Sequence, residues 1–205
     1  IDNAANTPVY GFDGDFSLPD SGSEDLWGIP AGDLIRQFES CRFLSLGSGG
    51  GADVIQALVE GAAEVHAVEV NPWFNKMLTE GDPAGYLSSY TDTLSSDLIT
   101  LPEYTSQFYK DPRVTVVSED ARAFIRRHTS RFDVIYSLSS NTFSALASGS
   151  FALAENYLFT TEAFQDYWTA LSDSGYLMME HQFYMPRLVS EALLALDKLG
   201  VEQPK

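Results

Sequence analysis

The chain is poor in cysteine, histidine and basic residues. It has one cysteine, Cys41, in 205 residues, so no disulfide can close within it. Cys41 precedes an apolar run, where a small buried thiol is expected rather than a nucleophile. The three histidines, His66, His128 and His181, lie far apart and match no metal-ligand spacing, so no metal is expected. Lys and Arg number 12 against 29 Asp and Glu, a formal charge of -17. Such an acidic protein repels phosphate backbones, which argues against a nucleic-acid partner. The densest basic stretch, Arg122 to Arg131, reads as the solvated face of one helix. No apolar run is long enough to cross a bilayer, and no signal-peptide pattern is present. The chain starts at Ile1 without a methionine and reads as a piece of a longer protein.

What is present suits a globular domain: 44% hydrophobic and 13% aromatic residues, enough for a sizeable core. Residues 1–29 read as an N-terminal arm, with Val9 to Phe12 as a hairpin or loosely packed leader. Residues 30–205 read as one domain. A short helix is expected over Ala31–Phe38. After it, strands alternate with helices: Phe43–Leu46, Asp53–Glu60, Glu64–Val70, Pro72–Thr79, Val114–Val117, Ala121–His128, Phe132–Leu138, Thr161–Leu171, Gly175–Glu180 and Pro186–Leu199. That alternation predicts an α/β fold, a Rossmann-like, doubly wound and mostly parallel sheet. Residues 81–110 interrupt it as an insertion between the second and third strands, with aromatics in helix-like patches.

In such sheets ligands bind beyond the carboxyl ends of the strands. The first strand ends in Gly47-Ser48-Gly49-Gly50-Gly51, followed by a helix. Glycines permit a tight turn and close ligand approach, and the helix N-terminus offers free N–H groups. The second strand ends at Glu69, with Val70 beside it; a carboxylate there can accept hydrogen bonds from ribose hydroxyls. The third ends at Asp120, followed by Ala121, where a carboxylate and backbone N–H groups can meet an adenine edge. Together the three strand ends point to a nucleoside-containing cofactor.

The stretch FLSLGSGGGADVIQALVEGAAEVHAVEVNPW (43–73) resembles the first two motifs of class I S-adenosylmethionine-dependent methyltransferases, most of all their spermidine synthase-like branch. DPRVTVVSEDARAFIRRHTSRFDVIYSL (111–138) and AENYLFTTEAFQDYWTALSDSGYLMM (154–179) are similar to later motifs of that branch. Ser45 stands where other methyltransferases usually carry an acid, which also favours the branch. The resemblance spans roughly residues 40–183 and implies the class I methyltransferase fold. It implies S-adenosylmethionine, or its decarboxylated form, as cofactor, held by Gly47, Ser48, Gly49, Gly50, Gly51, Glu69, Val70, Asp120, Ala121 and Ser137.

Besides the 81–110 insertion, which is longer than this branch usually has, the pattern breaks in two places. Aminopropyltransferases carry a D-S-S-D type sequence whose aspartates hold and deprotonate a cationic polyamine. Here it reads Leu138-Ser139-Ser140-Asn141, and leucine can neither pair with a cation nor accept a proton. Methyl transfer to a small molecule is therefore expected, with aminopropyl transfer to an altered acceptor, or a non-catalytic domain, as alternatives. Glu180, His181 and Tyr136 are the acid/base candidates. The second break is at the C-terminus, where the closing strand pair of the superfamily is missing. The exposed edge is expected to be covered by the N-terminal arm, by a partner chain or second copy, or to reflect truncation. The expected compartment is the cytoplasm. Several proteins of this branch are soluble domains attached to membrane segments, so a membrane-anchored full-length protein is an alternative.

Overall fold

The computed structural model describes residues 9–17, 31–81, 89–91, 98–138, 157–180 and 185–201. Its frame is five parallel strands: β1 (Arg42–Leu46), β2 (Glu64–Glu69), β5 (Val114–Ser118), β6 (Phe132–Leu138) and β7 (Leu171–Glu180). Their order across the sheet is β5-β2-β1-β6-β7. The chain winds outward from β1 in one direction, then returns to β6 on its other side. The crevice of a doubly wound sheet lies at that reversal, beyond the ends of β1 and β6.

Alternation along each strand sends side chains to two cores. Phe43, Val65, Ala67, Val134 and Tyr136 face one side, with α1 (Gly32–Ile35), α2 (Ala52–Val59) and α3 (Pro72–Thr79). Leu44, Leu46, Val68, Phe132 and Ile135 face the other, with α5 (Ala121–Ile125), α6 (Thr161–Ala170) and α7 (Met185–Lys198). Local chemistry starts these helices: Asn71 caps α3 ahead of Pro72, Asp120 caps α5 and Thr160 caps α6.

Several expectations change. The first helix is only Gly32–Ile35, and α5 stops at Ile125 rather than His128. The basic stretch Arg122–Arg131 is not one solvated helical face. Arg122 pairs with Asp166, Arg127 with Glu119, and Arg131 with Glu64 across the sheet end. The last strand starts at Leu171 instead of Gly175, through an irregular register against β6. Gly175 is required there, because a Cβ would stand 3.0 Å from the Phe132 carbonyl oxygen. In the insertion, β3 (Ser89–Thr91) pairs antiparallel with β4 (Leu98–Thr100), where only helix-like patches were expected. A capping box between Thr100 and Glu103 then opens α4 (Leu101–Tyr104).

Among the described residues no strand pairs with the outer edge of β7. Only residues 9–17 of the arm are described. Residues 9–17 form no strand, and they lie against Tyr104, Ser106 and Arg113, on the β5 side. Met185, Val189 and Leu193 on α7 are exposed apolar side chains. No helix among the described residues is long and apolar enough to cross a membrane.

Candidate functional site

The loop after β1 is held from three directions. The N–H groups of Gly47 and Ser48 donate to the Val68 carbonyl at 2.8 and 3.1 Å, which ties the loop to β2. Gly51 N–H donates to the Ser48 carbonyl at 2.7 Å, closing the turn. Gly47, Gly49 and Gly51 all have positive φ (77°, 47° and 81°), a conformation that glycine adopts without strain. The loop glycines were expected to make room for a ligand. At Gly51 the room is taken by the protein itself, since a Cβ there would meet the Phe108 ring at 2.4 Å.

Glu69 joins two strand ends. Its Oε2 accepts from Gly49 N–H at 3.1 Å and its Oε1 from Asn71 N–H at 2.8 Å. Each carboxylate oxygen has two lone pairs, so both can accept a further donor. Beside it Val70 is 68% exposed and Trp73 62% exposed, an apolar lip next to the carboxylate. Asp120 serves the fold locally, since its Oδ1 accepts from Ala123 N–H at 2.8 Å as the cap of α5. Ser137 is buried on β6, opposite Met179 of β7.

Tyr136 and Glu180 come together. The Tyr136 hydroxyl donates to Glu180 Oε1 at 2.6 Å, across from β6 to β7. Burial, then the bond to Glu180, pushes the Tyr136 phenol far above its usual range. It stays protonated at any ordinary pH and orients the carboxylate. His181, Asn141 and the loop residues Glu155 and Asn156 lie outside the described residues, as does the Leu138 side chain.

Sequence reasoning missed Asp53, which it placed only at a helix start. The residue lies in the first turn of α2, buried beneath the glycine loop. Burial pushes its carboxyl up to about 6. The fully buried Ser45 hydroxyl is beside it, outside good hydrogen-bond geometry. The available signal was an acid two residues after a glycine run. Cys41 behaves as expected: it is buried, and burial pushes its thiol up to about 12. No cluster of metal-binding side chains occurs among the described residues.

The two rims of the sheet differ in charge. At the amino-terminal rim, Glu60, Glu64, Asp111 and Asp133 each have an arginine partner: Arg36, Arg131, Arg113 and Arg42. At the carboxyl-terminal rim Glu119 pairs with Arg127, but Asp53, Glu69, Asp120 and Glu180 have no Lys or Arg partner among the described residues.

No family model and no curated protein matches the chain. Solved structures do. Spermidine synthase from Thermotoga maritima superposes with a TM-score of 0.54 at 20% identity, over 82% of this chain and 47% of that one. The chain has a spermidine synthase-like fold. A spermidine synthase in complex with the transition-state analogue AdoDATO gives 0.51 at 19% identity, over 82% and 46%. The chain thus spans about half the length of the spermidine synthases it matches. A SAM-dependent methyltransferase from Agrobacterium tumefaciens is more distant, with a TM-score of 0.46 at 13% identity over 79% and 47%. In the spermidine synthase-like fold, β1, β2, β5, β6 and β7 bring the glycine loop, Glu69, Asp120, Tyr136 and Glu180 to one rim.

Proposed function

We propose that the chain is an S-adenosylmethionine-binding transferase domain that transfers a methyl group to a small molecule. The charge of the carboxyl-terminal rim carries this reading. Asp53, Glu69, Asp120 and Glu180 stand there without a basic partner among the described residues. A unit charge 4 Å from a carboxylate interacts by about 4 kcal/mol at an effective dielectric of 20. For a sulfonium that energy is favourable; for a pyrophosphate it is a penalty. A nicotinamide dinucleotide would bring its pyrophosphate to the N-terminus of α2, directly over Asp53 and beside Glu69. S-adenosylmethionine brings no phosphate and does bring a cation.

In this reading Glu69 accepts from the ribose hydroxyls, and Val70 and Trp73 give the base an apolar wall. Asp120 turns its second oxygen to the adenine amino group, next to the Ala121 N–H. Gly47 to Gly51 and Ser137 line the remainder. The bound cofactor supplies an already activated methyl group, so the protein has mainly to align donor and acceptor. Glu180, oriented by the Tyr136 hydroxyl, is the carboxylate placed to hold an acceptor or take its proton. Tyr136 itself stays neutral and is a positioning group. His181, its expected companion, has no described position.

A second reading is aminopropyl transfer from decarboxylated S-adenosylmethionine to an altered acceptor. The likeness to spermidine synthases favours it, and Glu180 would replace the carboxylates lost at Leu138 and Asn141. A second copy or a partner chain over the outer edge of β7 belongs to the same proposal, and concentration-dependent sedimentation is its sign.

Parallel calorimetric titrations with S-adenosylmethionine, decarboxylated S-adenosylmethionine and NAD test the reading. S-adenosylmethionine should bind and NAD should not. Preference for the decarboxylated form would move aminopropyl transfer to first place, and binding without turnover would mark a non-catalytic domain. Glu69→Ala should weaken binding by about 1.5–3 kcal/mol, roughly 10- to 150-fold. Undiminished affinity in that variant sinks the ribose assignment.

A further inference from the structure

The glycine loop is braced by a part of the chain with no place in the reading above. The insertion ends in a short 3-10 turn, Phe108–Lys110, that reaches back under the loop. Phe108 and Tyr109 are 1% and 3% exposed. Their rings occupy the space that a side chain at Gly51 would need: a Cβ there would stand 2.4 Å from Phe108 and 2.9 Å from Tyr109. The Tyr109 hydroxyl donates to Ser48 Oγ at 3.2 Å. Burial raises the Tyr109 phenol above its usual range, so it is a permanent donor.

The chain spends backbone strain to deliver these rings. Ser106 and Gln107, both with side chains, sit at φ 48° and 55°. Consecutive left-handed residues other than glycine are costly, and they persist only where the surroundings over-determine them. Here the surroundings are explicit. Gln107 N–H donates to the Pro102 carbonyl at 2.7 Å, and Lys110 N–H to the Gln107 carbonyl at 2.7 Å. The strained pair reverses the chain directly after α4 and aims Phe108 and Tyr109 at the loop.

We propose that Tyr109 is a positioning residue: its hydroxyl, through Ser48, fixes the Gly47–Gly51 loop in a shape ready for the adenosyl ligand. The affinity of the site is thereby set in part by residues 98–110. The proposal rests on the reading of the site as an S-adenosylmethionine site, but the bracing is measurable without ligand. A loop held in its bound shape loses less freedom on binding than one that must be ordered.

Tyr109→Phe keeps the ring against Gly51 and removes only the hydroxyl; Ser48→Ala removes the acceptor. Two readouts separate positioning from plain stability. The first is hydrogen exchange of the Ser48, Gly49, Gly50 and Gly51 amides in the ligand-free protein. Exchange should speed up there in both variants and stay unchanged in β5. The second is calorimetric affinity for S-adenosylmethionine, which should fall about fivefold in each, the size of one hydrogen bond. The double variant should be no weaker than either single one. Unchanged loop exchange, or fully additive losses in the double variant, overturns the proposal. Absence of any binding by the wild-type protein would instead overturn the functional reading, and loop exchange would still decide the role of Tyr109.

Discussion

Asp53→Asn should make the protein more stable at neutral pH and leave it unchanged in acid. Asp53 is buried without a cation beside it among the described residues, and its carboxyl is raised from 3.8 to about 6. A shift of roughly 2 units at 1.36 kcal/mol each is ~3 kcal/mol. The sign follows from proton counts. Between pH 4 and 6 the folded chain holds a proton on Asp53 that the unfolded chain has released. Stability contributed by this group is therefore complete below pH 4 and is lost as pH rises through about 6. Asparagine is neutral throughout and loses nothing. Urea unfolding of both proteins at pH 4, 5, 6 and 7 measures the difference directly, because all other titrating groups cancel. The curves should coincide near pH 4 and separate by ~3 kcal/mol at pH 7, with unchanged m-values. A difference that is the same at every pH would refute the burial argument. Such a destabilising acid is expected where function requires the charge. The same variant should accordingly bind S-adenosylmethionine more weakly.

Arg42→Ala tests the opposite rim. Burial raises the Asp133 carboxyl, but hydrogen bonds from Arg42 and Ser172 outweigh this and bring it down to about 2. Removing Arg42 strands a buried charge and should cost about 3 kcal/mol at pH 7, the low end for a broken buried pair because Arg42 is one-third exposed. That stabilisation is present above pH 4 and fades as pH falls through about 2, so denaturation curves of the two proteins should converge in strong acid. Gly51→Ala combines a positive φ with overlap on Phe108 and should cost about 1–3 kcal/mol in urea unfolding. A neutral Gly51→Ala would mean that the aromatic pair moves aside easily.

Elements governed by neighbouring residues were legible in the sequence. Pro72–Thr79 and Phe132–Leu138 occur with the expected bounds, because a cap with proline and a continuous apolar run act locally. Glu69 was legible because the distance from a glycine loop to the next strand end is set by one helix and one strand. Features that depend on distant approach were not. The β3–β4 hairpin rests on pairing across a gap, and the early start of β7 depends on Gly175 meeting the Phe132 carbonyl oxygen. Phe108 and Tyr109 could be read only as aromatics in an insertion. Their contact with Gly51 spans more than fifty positions of chain, and no local pattern announces it.

The contrast between the two rims has a kinetic side. Arginines neutralise Glu60, Glu64, Asp111 and Asp133 at one end of the sheet, while Asp53, Glu69, Asp120 and Glu180 at the other have no Lys or Arg partner among the described residues. On a chain of net charge -17 this draws small cations from solution and funnels them to one end of the strands. A cationic ligand should then arrive faster than a neutral adenosine of the same shape. Its arrival should slow as added salt shortens the reach of the field from about 30 Å at 0.01 M to about 8 Å at 0.15 M. Departure from the closed contacts within the site should hardly respond.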